Sequence, residues 1–136
     1  VLYAILAYHP EAAVENLNER QDEAIMRGIA AVNESLAAEG ILRPAARLMS
    51  TSTAVTLRHR GKVTVVDGPF SESKEALLGF HIVDCPSLEA AIDTGKRLFA
   101  PRAEADLPTA LEIRPIRFFL EGARASSQPA PQDAPP

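Results

Sequence analysis

Two strand-length runs, residues 1–8 and 77–84, are apolar at odd and even positions alike. Successive side chains on a strand point to opposite faces, so such runs need cover on both sides. In the first run Leu2, Ala4, Leu6 and Tyr8 share one parity, and Val1, Tyr3, Ile5 and Ala7 the other. In the second, Leu78, Phe80 and Ile82 oppose Leu77, Gly79, His81 and Val83. If Phe80 faces helices, His81 opens on the opposite side. These two runs fix the problem that the other segments must solve.

The remaining segments supply one helical layer. Residues 14–39 carry apolar positions at three- and four-residue steps, from Val14 through Leu17, Ile25, Ile29 and Val32 to Leu36, interrupted only by Gln21. That spacing predicts one long amphipathic helix stopped at Gly40. Ser87 reads as the N-cap of a second helix whose inward stripe is Leu88, Ala91, Ile92, Gly95, Leu98 and Phe99, with Pro101 as its stop. Residues 100–109 then read as a connecting loop. A short strand is expected near 45–49, and a hairpin pairs residues 53–58 with 62–66 across His59, Arg60 and Gly61. The last strand spans 111–120, and Pro115 points to an edge or a bulge.

Without the hairpin the order is β-α-β-β-α-β, the ferredoxin-like split unit of the α+β class. Two helices cover one face of that sheet. The other apolar face would exceed the few hundred Å² that a monomer tolerates. A second copy, sheet against sheet about a two-fold axis, resolves this and encloses a cavity between the sheets. Residues 1–121 are therefore expected to form one domain of a homodimer. The Pro-, Ala- and Ser-rich residues 122–136 are expected to form a disordered tail.

Composition narrows the function. The net charge of −4 supplies no field for nucleic acid or an anionic membrane. No apolar run approaches the ~20 residues that span a bilayer, and residues 1–8 lack the flanks of a signal peptide. The single cysteine, Cys85, excludes an internal disulfide and suits a reducing cytoplasm. The three histidines are scattered, so no metal or other cofactor is expected.

The run Val63-Thr-Val-Val-Asp67-Gly68-Pro69 carries the strongest turn signal of the chain, followed by Glu72, Lys74 and Glu75. Asp67 continues the parity of Val63 and Val65, so it should emerge on the buried face where the strand ends. There it can act as a general base or hold a polar ligand. Its commoner role is to accept backbone N–H groups of the turn. Glu72, Lys74 and Glu75 are candidate ligand contacts beside it, although such loop charges are usually solvated. Gly68 and Pro69 set the turn geometry. His81 is a candidate acid or base, more commonly a hydrogen-bonded buried residue. Tyr8 and His9, where the first strand ends, are candidates for the same cavity.

The string from Val66 through Asp-Gly-Pro-Phe-Ser-Glu-Ser-Lys-Glu to Ala91, with Glu112-Ile-Arg-Pro-Ile, resembles the DGPF-domain proteins of the YCII-related family. The resemblance implies a dimeric α+β barrel of ferredoxin-like subunits. It implies, for some relatives, metal-free lyase- or dehalogenase-like chemistry on small molecules. The alternative it suggests is a non-catalytic sensor or accessory protein linked to sigma-factor-dependent transcription. Related proteins are thought to pair a His on or near the first helix with an Asp after the second strand. Residues 14–39 contain no His and residues 42–66 no Asp or Glu, so that pair does not transfer.

Overall fold

The computed structural model describes residues 1–123, so the 122–136 segment lies almost wholly outside the described residues. Strand β1 (Leu2–His9) leads into α1 (Glu11–Glu15) and α2 (Glu19–Ala38). Strand β2 (Leu42–Arg47) follows, then a hairpin of β3 (Val55–Arg60) and β4 (Lys62–Asp67). Strand β5 (Ala76–Asp84), α3 (Leu88–Glu104) and β6 (Ala110–Pro115) complete the chain. The main sheet runs β2-β5-β1-β6 with every neighbouring pair antiparallel. This is the α+β, ferredoxin-like arrangement, with the hairpin as a separate two-stranded sheet.

The expected single helix over 14–39 is two helices. Asn18 breaks it, because its side chain accepts the Gln21 backbone N–H at 2.8 Å while the Gln21 side chain accepts the Asn18 N–H at 2.9 Å. This reciprocal capping box satisfies two donors left open at the start of α2. Gln21, which interrupts the apolar stripe, is therefore a cap residue. Gly40 does end the helix, with φ +75°.

Pro101 does not stop the third helix, and residues 100–104 are helical rather than loop. Pro101 is buried against Gly28 of α2, where a Cβ on Gly28 would stand 2.7 Å from the Pro101 Cβ. The close crossing of α2 and α3 offsets the backbone hydrogen bond that proline forfeits. Ser87 caps α3 as expected, accepting the Ala90 N–H at 3.1 Å. On α3 the buried positions are Ala91, Thr94, Gly95, Leu98, Pro101 and Arg102, while Leu88 and Ile92 are exposed. Strand β2 begins earlier than its apolar pattern suggests, and a register shift between Leu42 and Ala45 accommodates Pro44 on this edge strand.

The helices take the odd parity of both central strands. Tyr3, Ile5, Ala7 and His9 are buried on β1, and Gly79, His81 and Val83 on β5. Phe80 therefore lies on the open face and His81 under the helices, the reverse of the arrangement that sets His81 in a cavity between sheets. Both parities are apolar, so periodicity alone could not choose. The dense core is Tyr3, Ile5, Leu36, Val83, Cys85, Ala91 and Leu98. A smaller cluster of Ile25, Ile29 and Leu107 closes the other end of the helix layer. On the open face Leu2, Ala4, Leu6, Tyr8, Leu78, Phe80 and Ile82 are only half-buried within the single chain.

The hairpin pairs out to Arg60 opposite Lys62 about Gly61, further than the expected three-residue loop allows. Its odd-numbered face, with Val55, Leu57, Val63 and Val65, is at least 60% exposed. Asp67 lies on that same face, opposite Val55, and is exposed, so within the subunit it does not emerge on a buried face. The reason is that the hairpin pairs only with itself and is not laid on the main sheet.

Candidate functional site

A cleft of about 490 Å³ opens between the helix-facing side of the sheet and the α1–α2 layer. That volume falls within the roughly 300–1,000 Å³ of small-molecule sites. Small residues create it. Ala7 on β1 stands opposite Gly79 on β5, and Arg47 on β2 pairs with Gly79 from the other side. Of the facing pair at the centre of this floor, Gly79 has no side chain and Ala7 only a methyl. A Cβ on Gly79 would sit 2.9 Å from the Ala46 carbonyl oxygen, so glycine is required for the approach of β2. Ile25, Met26 and Ile29 of α2 form the roof, while Leu48 and Met49 are exposed apolar residues at the mouth.

Polar groups enter from the rim. His81, on the floor strand opposite Ile5, is buried and shares a 2.9 Å hydrogen bond between its Nε2 and the Asn33 Oδ1. An amide oxygen only accepts, so Nε2 carries the proton and Nδ1 holds the lone pair. Burial, with a smaller contribution from the Arg102 charge, lowers the His81 pKa to about 4. This histidine is neutral at pH 7.

His9 marks the other end of the cleft, past the β-bulge at Ala7/Tyr8. Its Nδ1 lies 3.2 Å from the Pro108 carbonyl oxygen and 3.2 Å from the Thr109 Oγ1. The Thr109 hydroxyl proton is committed to the Leu107 carbonyl at 2.9 Å. Both neighbours of Nδ1 therefore accept, and His9 is the Nδ1–H tautomer with its lone pair on Nε2. Burial again lowers its pKa, opposed by the Pro108 hydrogen bond and aided by Arg102 and Arg47. Among the described residues no fully enclosed side-chain nitrogen or oxygen lacks a hydrogen-bond partner. The free ring nitrogens of His9 and His81 accordingly keep accessible surface, and both side chains line the cleft.

Arginines complete the rim. Arg47 pairs with Asp22 of α2 at 2.9 Å, tying the edge strand to the helix. Arg102, on the last turn of α3, is buried. Glu11 on α1 accepts from the Thr51 N–H at 2.7 Å and the Thr51 hydroxyl at 2.6 Å, which holds the β2–β3 connection against the cleft and keeps its carboxyl pKa low.

The residues singled out in the sequence divide between surroundings. His9 and His81 meet in the cleft. Tyr8 belongs to the opposite face of the sheet. Gly68, Pro69 and Glu72 border a second hollow of about 290 Å³, which shares Glu11, Glu15 and Ser50 with the cleft. Asp67, Lys74 and Glu75 are exposed and line neither hollow. The Asp67 side chain makes no hydrogen bond among the described residues. The turn is held instead by the Gly68 N–H on the Ala54 carbonyl at 2.7 Å and the Thr56 hydroxyl on the Gly68 carbonyl at 2.7 Å. Asn33 and Arg102 escaped the sequence reading, since a polar residue on a helix stripe carries no signal of what it faces.

The model of the YCII-related domain matches residues 1–117, nearly all of the described chain. The chain belongs to the YCII-related family. It is also similar to an uncharacterised protein of Rhizobium meliloti, 40% identical over 124 residues that cover 90% of this chain and 97% of the relative. The first two helices contain no histidine, and His9 lies just ahead of α1. Among the described residues no group of three or more His, Cys, Asp or Glu side chains could hold a metal ion. No helix among them is long and apolar enough to cross a membrane.

Proposed function

We propose that this YCII-related protein binds a small, largely apolar molecule with a polar end in the cleft between α1–α2 and the sheet, where His9 transfers a proton. The observation that carries the reading is the pair of neutral imidazoles opening onto an apolar cleft. A base must be unprotonated at working pH, and burial keeps His9 so. Its tautomer is fixed by Pro108 and Thr109, so Nε2 accepts a proton from an acidic C–H or O–H of the ligand with no prior rearrangement. The Nδ1–H bond to the Pro108 carbonyl then stabilises the imidazolium, and the same proton returns to the ligand in the next step. His81, held by Asn33, orients the ligand rather than titrating.

This moves the site from the seam between sheets to the interior of the subunit. Gly68, Pro69 and Glu72 then shape the approach to the cleft through the neighbouring hollow. The half-buried apolar face of the sheet and the exposed hairpin face still call for cover. The reading therefore includes a homodimer in the cytoplasm that closes those surfaces.

A thermal-shift screen of metabolites against wild type, His9→Asn and Ala7→Val tests it. A hit should raise the wild-type Tm, lose that effect in Ala7→Val, which fills the floor, and bind His9→Asn without turnover. A ligand that stabilises all three proteins equally, or is turned over by His9→Asn, defeats the assignment.

A further inference from the structure

Arg102 is a buried cation without a counter-ion among the described residues. It is 7% exposed, and no carboxylate among the described residues forms an ion pair with it. A guanidinium carries five N–H donors. Among the described residues one group is engaged, Nη1, which donates to the Leu98 carbonyl one turn back on α3. Among the described residues no fully enclosed donor lacks a partner. The uncommitted N–H groups therefore keep surface open, and Arg102 lines the cleft.

Two of the three acidic side chains that line the cleft are committed elsewhere, and the third, Glu15, is exposed. Asp22 is held by Arg47, and Glu11 by Thr51. Beyond burial, the charges of Arg102 and Arg47 push the His9 pKa down, opposed by Glu75. A charge at a helix C-terminus is favourable on the surface. That contact does not require burying the guanidinium, which is costly for an unpaired ion. A ligand anion removes the cost and fits the planar fork of N–H donors.

We propose that the cleft selects a monoanionic aromatic or aliphatic carboxylate, whose carboxylate is taken by Arg102 while its apolar body lies against Ile25, Met26, Ile29 and the Ala7–Gly79 floor. This rests on the cleft being the ligand site. One unpaired guanidinium among apolar walls matches a single negative charge better than a dianion. The ligand charge also offsets the arginine charges that disfavour protonation of His9.

The test titrates 2-naphthoate, 2-naphthamide and 2-naphthyl phosphate into the intact protein, following backbone amide shifts and Kd. The carboxylate should bind at least tenfold tighter than the amide, with the largest shifts at Ala7, Gly79 and His81. Arg102→Met should remove that preference, bringing the carboxylate affinity down to that of the amide, and Arg102→Lys should restore part of it. Should the Arg102 variants not fold, the wild-type comparison decides alone. Equal affinity for carboxylate and amide overturns the anion assignment and leaves the cleft standing. Tighter binding of the phosphate overturns the monoanion class. Shifts confined to other surfaces, or binding of none of the probes at millimolar concentration, overturn the cleft reading as well.

Discussion

The two ends of the same helix–sheet interface differ sharply. At one end Tyr3, Ile5, Leu36, Val83, Cys85 and Leu98 interlock, and Leu36, Val83 and Leu98 have no exposed surface. At the other end the same two strands present Ala7, His9, Gly79 and His81 beneath Ile25 and Ile29. The backbone ladder of β1 and β5 is continuous through both, apart from one bulge. The difference is side-chain volume. A sheet of fixed spacing carries large residues where it must hold the helices, and small ones where it leaves room. One end supplies stability, and the other supplies a cleft with protonatable walls.

The largest predicted effect lies at the closed end. Leu98→Ala removes a fully buried side chain and should lower the unfolding free energy by about 2–5 kcal/mol, read from urea denaturation at constant m. A loss below about 1 kcal/mol would mean that this end is also loosely packed. The next effect belongs to His81. Its pKa is depressed in the folded state, so between about pH 4 and 6.5 the unfolded chain binds the extra proton. Its contribution is complete above pH 6.5 and is lost as the pH falls towards 4. The loss should be roughly 2–3 kcal/mol, and His81→Gln should flatten that part of the profile. The third is a matched pair. Ala91→Val at the closed end should cost about 1–3 kcal/mol through overpacking, whereas Ala7→Val, which extends into the cleft, should change stability by less than about 1 kcal/mol. Equal costs for the two would remove the distinction between the ends.

Much of this was readable along the chain. The element order, the Ser87 cap, the Gly40 stop and the α+β class follow from short-range chemistry, because caps, turns and periodicity act over a few residues. His9 and His81 stand out as rare titratable residues on apolar strands, yet nothing nearby in the sequence says that they share a cleft. Asp67 has the more conspicuous local signal, and it sits on a hairpin that pairs only with itself. Arg102 gave no signal, since the charged and titratable groups it acts on, His9 of β1, Arg47 of β2 and His81 of β5, lie far away along the chain.

By itself the sequence determined the order of the main strands and helices, that both faces of the central strands are apolar, and that the family is YCII-related, but not where the first and last helices break or end. Only the tertiary structure decided which face the helices cover. With both parities apolar, that choice is made by the hand of the crossover connections and by packing between distant residues, not by the local pattern. The cleft, its tautomers and its unpaired guanidinium all follow from that one choice of face.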